Sequence, residues 1–204
     1  THGSLLLETS DRGHKEAVAT LNHLVLGLLS GAPPGMISFS IIDPVGLGEN
    51  FSSIMHLADY ENNLINDRIW TQTEQIDKRL EELNEHMEKV IQMYLRNEYE
   101  TIAEYNQQAG NIAEKYHFLV IADFPTHFSD SAAKRLLSIA ASGARCGVYT
   151  LIHWDTRRTT RSSAASSNSL MVAVPSRLPN EDCTTRSASE TMPLVDTLFR
   201  AKRI

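Results

Sequence analysis

The feature that most constrains the fold of this chain is an apolar run, residues 116–122, that ends in Asp123 and the turn signal Phe124-Pro125. Such a run, flanked by long helical patterns, is typical of a central strand in a parallel sheet whose two faces are covered by helices. Ligands of such sheets bind in the crevice outside the carboxyl ends of the strands. We therefore expect Asp123 to point into a binding crevice. The alternative is a solvated carboxylate that caps the next turn.

Further strand and helix patterns surround this run. Strand candidates cover residues 4–8, 36–43 and 147–153. Helical patterns end at residue 29, cover residues 74–97 and 101–108, and begin again at Ser129, a residue type favoured at helix N-termini. Over residues 74–97 the apolar positions recur every three or four residues, which predicts a long amphipathic helix that packs within the domain rather than in a coiled coil. Strand, helix and strand in succession indicate parallel crossover units. The sequence therefore predicts an α/β fold with a mostly parallel sheet and helices on both faces.

Length and charge divide the chain into two parts. Its 204 residues, 42% of them hydrophobic, suffice for one sizeable domain with an appendage. Residues 1–155 carry 11 Lys and Arg against 21 Asp and Glu, whereas residues 156–204 carry 8 against 4 and are rich in Ser and Thr. We expect a domain over residues 1–155 and a flexible, loosely attached tail over residues 156–204. Alternatively, residues 170–174 add a further strand to the sheet.

The composition also bears on location and partners. No apolar run approaches the ~18 residues of a membrane span, and no signal-peptide pattern is present, so we expect a cytoplasmic domain without a membrane segment. The chain begins at Thr1 and enters a strand pattern almost at once, so we expect it to be cut from a longer protein, which could itself be membrane-associated. The acidic main body disfavours a broad nucleic-acid face but leaves room for a narrow DNA-contacting loop.

The histidines do not suggest a metal enzyme. They are scattered along the chain, and none forms the i, i+4 pair on one helix that, beside a Glu base, would indicate zinc ligation. The histidines weighed in this way are His56, His86, His117, His127 and His153.

Three stretches together resemble the motor domain of the FtsK/SpoIIIE family of RecA-like P-loop ATPases over roughly residues 4–155. Residues 41–44 resemble the family's strand ending in Asp-Pro-Lys, which a His-Leu pair follows, here residues 56–57. Residues 83–107 are similar to the helix and Tyr-Asn element before its Walker B strand. Residues 138–149 resemble the helix and strand before its nucleotide-sensing Gln.

The resemblance implies a RecA-like P-loop NTPase fold that binds ATP and Mg²⁺. On it, Gly13 and Lys15 belong to the phosphate loop, and Asp43 lies at a strand end that faces the cofactor. It places Asp123 at the catalytic Glu of the Walker B strand, and as the remaining carboxylate Asp123 is also the candidate metal ligand.

Several positions depart from the family pattern. Thr9 replaces the first phosphate-loop Gly, His14 the second, and Glu16 the hydroxyl residue that would hold Mg²⁺. Ala122 replaces the Mg²⁺-linked Asp, and Val45 the Lys of Asp-Pro-Lys. These replacements indicate a degenerate nucleotide site and leave open whether the domain is an enzyme.

Two functions follow from the resemblance. The first is an ATP-binding DNA translocase domain, or a degenerate copy of one, whose partners are DNA and either copies of itself or neighbouring ATPase domains. The alternative is a non-hydrolysing scaffold domain of a multi-domain motor, such as a type VII secretion-like ATPase, whose substrate is protein.

Overall fold

A parallel sheet forms the centre of the molecule. The computed structural model describes residues 4–10, 12–59, 68–158 and 177–178. Within these residues the strands are β1 (Leu5–Thr9), β2 (Ile37–Ile42), β3 (Tyr116–Phe124), β4 (Val148–Asp155) and β5 (Arg177–Leu178). They pair in parallel in the order β2-β3-β4-β1-β5. Because β3 and β4 lie in the middle, the apolar run of β3 is buried on both faces, as its sequence predicts.

Helices cover both faces of this sheet. They are α1 (His14–Gly31), α2 (Ser52–Met55), α3 (Thr73–Lys89), α4 (Ile102–Ala109) and α5 (Asp130–Ser142). Helices α1 and α2 pack on one face, in a cluster that includes Leu21 and Phe51. Helices α3, α4 and α5 pack on the other, in a cluster that includes Leu80 and Leu136. The predicted α/β fold with helices on both faces is thereby confirmed.

The element boundaries follow the sequence patterns closely. The helix predicted over residues 74–97 begins at Thr73, and after Lys89 it continues as a π-helical turn, Val90–Leu95. Helix α5 begins where Ser129 accepts a hydrogen bond from the Ala132 amide, the N-cap arrangement that the sequence suggested. The polar loop after β1 leads directly into α1, which is the strand, loop and helix order of a phosphate loop.

The tail contributes at least one short strand to the sheet. Arg177 and Leu178 pair with Leu6 and Leu7 of β1. Residues 170–174, the alternative strand, lie outside the described part of the chain, so the predicted boundary at residue 155 stays a prediction.

The carboxyl ends of β1, β3 and β4 meet at one edge of the sheet. The register pairs Thr9 of β1 with Asp155 of β4. Pairing between β3 and β4 shifts between Ile121 and Phe124, where Asp123 adopts the left-handed backbone region with a φ of 56°. This irregularity takes the Asp123 amide out of the regular ladder and leaves it for another acceptor.

Among the described residues, no helix combines the length and apolar character needed to cross a bilayer.

Candidate functional site

The loop between β1 and α1 occupies the position of a phosphate loop. Gly13 is the N-cap residue of α1 and has a φ of 95°, a conformation that glycine adopts without steric cost. The helix begins at His14, and Lys15 and Glu16 follow as exposed residues of its first turn. The structure confirms the order of strand, loop and helix, while the roles given to Gly13 and Lys15 in cofactor binding stay predictions.

The His14 side chain contacts the carboxylate of Asp123. Its Nε2 atom lies 3.0 Å from Asp123 Oδ1 and 3.1 Å from Oδ2, and the hydrogen bond is directed to Oδ2. The Asp123 side chain is completely buried, whereas that of His14 is 33% exposed. The predicted crevice carboxylate is therefore neither solvated nor open, because the residue at the second Gly position of the phosphate loop covers it.

His153 links all three strand ends. Its Nδ1 accepts a hydrogen bond from the Asp123 backbone amide at 3.2 Å. In the neutral ring the proton is then on Nε2, which lies 2.8 Å from Thr9 Oγ1 and donates to it. Both ring nitrogens of this buried histidine are therefore engaged, one with β3 and one with β1.

Burial keeps His153 neutral. Its pKa is lowered by desolvation, and the nearby Asp123 carboxylate offsets this only in part. The lone pair of the neutral Nδ1 faces Asp123 Oδ1 at 3.7 Å, and Oδ1 has no hydrogen-bond partner among the described residues. The network thus satisfies both ring nitrogens of His153, while Asp123 Oδ1 has only the 3.0 Å contact with His14 Nε2.

The donor set does not fit Mg²⁺. His14, Asp123 and His153 each offer an atom within 4.8 Å of the others. Mg²⁺ prefers oxygen ligands in octahedral geometry, whereas two of these three donors are imidazole nitrogens, and both nitrogens of His153 are already engaged. A cation at Asp123 Oδ1 would also have to displace His14. The assignment of Asp123 as a metal ligand and catalytic residue stays a prediction, and its surroundings do not favour it.

Asp43 is held by its own loop. Its carboxylate is buried and accepts hydrogen bonds from the amides of Gly46, Gly48 and Asn50 at 2.9, 3.0 and 3.3 Å, and from Asn50 Nδ2 at 3.0 Å. A Cβ on Gly46 would lie 2.6 Å from Asp43 Oδ2, so a side chain at this position would have to displace the carboxylate from its hydrogen bonds. The carboxylate predicted to face the cofactor therefore organises the loop after β2.

Asp155 ends β4 as part of a charged turn. Arg157 donates two side-chain hydrogen bonds to it, at 2.9 and 2.8 Å, and Arg158 donates a third at 3.1 Å. The Arg157 bonds are the main reason that the pKa of Asp155 falls to about 2. Strand β4 therefore ends in an ion pair between Asp155 and the two arginines that follow it.

Sequence reasoning missed two groupings of histidines. His14 meets His153, with ring centroids 5.2 Å apart, and His86 meets His117 at 4.5 Å. A search for histidines spaced along one helix cannot find them, because each pair joins two different elements. The available signal was a histidine near the end of a buried strand, where a polar ring needs partners.

Comparison with known proteins first defines the class of the domain. The fold is that of P-loop ATPase domains, as its structural neighbours show. Residues 18–178 match the FtsK/SpoIIIE family. The chain belongs to this family, which confirms the resemblance found in the sequence. No curated protein matches the chain.

Three solved structures illustrate the likeness. The cytoplasmic domain of the type VII secretion ATPase EccC of Thermomonospora curvata has a TM-score of 0.64 and 14% identity, over 86% of this chain and 20% of that one. EssC (ATPases 2 and 3) of Geobacillus thermodenitrificans has a TM-score of 0.57 and 17% identity, over 82% of this chain and 30% of that one. The pCW3 conjugation coupling protein TcpA with ATPγS has a TM-score of 0.57 and 16% identity, over 86% of this chain and 48% of that one. The chain thus spans less than half of each neighbour, and at these identities the likeness concerns the fold.

Proposed function

We propose that this chain is a non-hydrolysing FtsK/SpoIIIE-type domain that acts as a scaffold within a multi-domain motor. The observation that carries the proposal is the contact of His14 Nε2 with both carboxylate oxygens of Asp123, at 3.0 and 3.1 Å. In an active site of this type a carboxylate at the end of the central strand serves Mg²⁺ or the attacking water. Here the loop residue that should leave room for phosphates covers that carboxylate instead.

Two further features oppose phosphate binding. Backbone amides reach phosphates closely where the loop carries glycines, and Thr9 and His14 replace the two glycines of the pattern. The Thr9 hydroxyl is also held by His153. Glu16 adds a negative charge in the first turn of α1, where a hydroxyl would ligate Mg²⁺.

The acidic charge of residues 1–155 is more consistent with a motor that moves protein than with one that moves DNA. Residues 1–155 hold 21 acidic against 11 basic residues, and phosphate contacts to DNA rest on Lys and Arg. One neighbour, EssC, is named with more than one ATPase, and another, EccC, is named as a type VII secretion ATPase. DNA translocation powered by ATP is the competing function, and the neighbour TcpA, named as a conjugation coupling protein with ATPγS, is the reason to test it.

A reversion experiment tests the closed-site proposal. We expect the variant with Thr9→Gly, His14→Gly and Glu16→Thr to bind Mg-ATP at least ~10-fold more tightly than the wild type, because it restores the loop glycines and the hydroxyl. His23→Gly is the matched control, since it places glycine at an exposed position of the same helix without touching the loop. Equal affinity in the wild type and the reverted variant would contradict the proposal.

Activity measurements separate the two functions. We expect no Mg²⁺-dependent ATP hydrolysis by the wild type and no tight binding of duplex DNA in fluorescence anisotropy at physiological salt. Should hydrolysis occur, it must depend on Lys15 and Asp123. ATP turnover abolished by both Lys15→Ala and Asp123→Ala would therefore favour the translocase over the scaffold.

A further inference from the structure

A second cluster of two histidines and a carboxylate lies at the opposite end of β3 from Asp123. His86 comes from the C-terminal part of α3, Glu114 from the segment that precedes β3, and His117 from the second position of β3. One donor atom of each lies within 4.8 Å of the other two. All three residues are partly buried, so a small ligand can reach them from solvent.

Each of the two histidines has a buried ring nitrogen without a hydrogen-bond partner. His86 Nε2 and His117 Nδ1 are buried, and neither has a hydrogen-bond partner among the described residues. Burial lowers the pKa of His86, and it lowers the pKa of His117 to about 3. A buried imidazole nitrogen without a partner is a group that a metal ion can satisfy.

The third residue of the cluster, Glu114, has its backbone held by Asn106 and its carboxylate near Tyr94. Asn106 clamps the Glu114 backbone from both sides, donating from Nδ2 to the carbonyl at 2.9 Å and accepting from the amide at 2.8 Å. The Tyr94 hydroxyl interacts with the Glu114 carboxylate, and this hydrogen bond is the main reason that the pKa of Tyr94 is raised. Such a bond is what orients a ligating carboxylate in a metal site.

From this arrangement we propose that His86, Glu114 and His117 bind a divalent transition-metal ion of the Zn²⁺ class. Two imidazoles and one carboxylate form a three-ligand set with a fourth position for water. Tetrahedral Zn²⁺ ligands lie about 3.4 Å apart, since each is ~2.0–2.1 Å from the metal. Side-chain rotation can bring donors that now lie within 4.8 Å to that separation.

The charges nearby narrow the choice of metal. Arg79, Lys89 and Lys115 act on the histidines with positive charge. Arg79 is already paired with Glu82 at 2.8 Å, which reduces its effect. A hard cation such as Ca²⁺ or Mg²⁺, which relies on carboxylate charge, is disfavoured, whereas imidazole nitrogens bind Zn²⁺ by coordination. The bound ion would tie α3 to the start of β3, a structural role distant from the phosphate loop.

Zinc titration of the metal-stripped chain tests this proposal. We expect one equivalent of Zn²⁺ to bind in competition with a chromogenic chelator. His86→Gln and His117→Gln should weaken binding ~100-fold, and Glu114→Gln ~10-fold or more. His14→Gln is the matched control: it alters the other histidine cluster and should leave zinc affinity unchanged. Absence of binding, or loss of binding in His14→Gln with retention in His117→Gln, would overturn the proposal.

A measurement on the unmutated chain keeps the test independent of variant folding. Substituted Co²⁺ should give the strong visible absorption of a four-coordinate site, and Zn²⁺ should shift the imidazole nitrogen resonances of His86 and His117 but not of His153. Zinc-induced shifts at His14 and His153 instead would place the metal at the phosphate loop and refute this assignment.

Discussion

The two ends of β3 carry the same set of groups in different states. At its carboxyl end Asp123 meets His14 and His153, and at its amino end Glu114 meets His86 and His117. His117 and Asp123 are six residues apart, about 20 Å along a strand. In the first cluster both nitrogens of His153 make hydrogen bonds, whereas in the second one nitrogen of each ring has no partner.

This difference shows that two histidines and a carboxylate do not by themselves determine whether a cluster can bind a ligand. A histidine with both nitrogens engaged stabilises the fold and resists a ligand, because binding must first break those hydrogen bonds. A buried nitrogen without a partner gains from any ligand that satisfies it. We therefore propose that the first cluster closes the nucleotide site and that the second can bind a metal ion.

The largest expected difference between the clusters is in stability. In the metal-free protein we expect His153→Ala to lower the free energy of unfolding by about 3 kcal/mol, because it creates a cavity and strands the Asp123 amide and the Thr9 hydroxyl. His117→Ala should cost about 1 kcal/mol, since the lost ring nitrogen had no partner. Urea denaturation in the presence of a chelator measures the free energy of unfolding of both variants. Equal losses of stability would contradict the expected difference between the two clusters.

Acid should destabilise the protein through His153. Its folded pKa is lowered, so below the ordinary value of 6.5 the unfolded chain binds more protons and the free energy of unfolding falls as pH falls. A single such group contributes a slope of up to about 1.4 kcal/mol per pH unit. Unfolding free energies between pH 7 and pH 5 should therefore vary less in His153→Gln than in the wild type. The slope does not vanish, because His86 and His117 act in the same direction.

Removing the hydroxyl that holds His153 should have a moderate effect. We expect Thr9→Val to cost about 1 kcal/mol, because the buried Nε2 proton then has no acceptor. Thr9→Ser keeps the hydroxyl and is the matched control. Thermal unfolding of the two variants decides the point, and a Val variant as stable as the Ser variant would mean that the hydrogen bond contributes nothing.

The smallest effect concerns the partner of Glu114. Tyr94→Phe removes the hydroxyl that interacts with the carboxylate, and we expect zinc affinity to fall by a few-fold up to ~10-fold with little change in metal-free stability. Tyr99→Phe, whose hydroxyl bonds to Gln108 instead, is the control. A loss of metal-free stability without a loss of affinity would make Tyr94 a packing residue only.

Much of the fold could be predicted from local patterns. The apolar run of β3, the three- and four-residue spacing of α3 and the Ser129 cap are properties of neighbouring residues, and each appears where expected. The replacements at Thr9, His14 and Glu16 are also local, and the eroded phosphate loop that they indicate stays a prediction.

The state of the site could not be predicted, because it depends on contacts between distant residues. The bond from Thr9 to His153 joins residues 144 apart, and that from His14 to Asp123 joins residues 109 apart. The left-handed conformation of Asp123, which directs its amide to His153, has no local signature either. Sequence reasoning could therefore not find that His14 contacts the Asp123 carboxylate and that His153 accepts a hydrogen bond from the Asp123 amide, and the role of Asp123 as a metal ligand stays a prediction.

Calorimetric titration of the wild-type chain with Mg-ATP tests most directly whether the nucleotide site is closed. His14 contacts the Asp123 carboxylate, and Thr9 and His14 replace two glycines of the loop. We therefore expect weak or undetectable heats of binding at ligand concentrations up to the millimolar range. A dissociation constant in the low micromolar range, about −8 kcal/mol of binding free energy, would contradict the account.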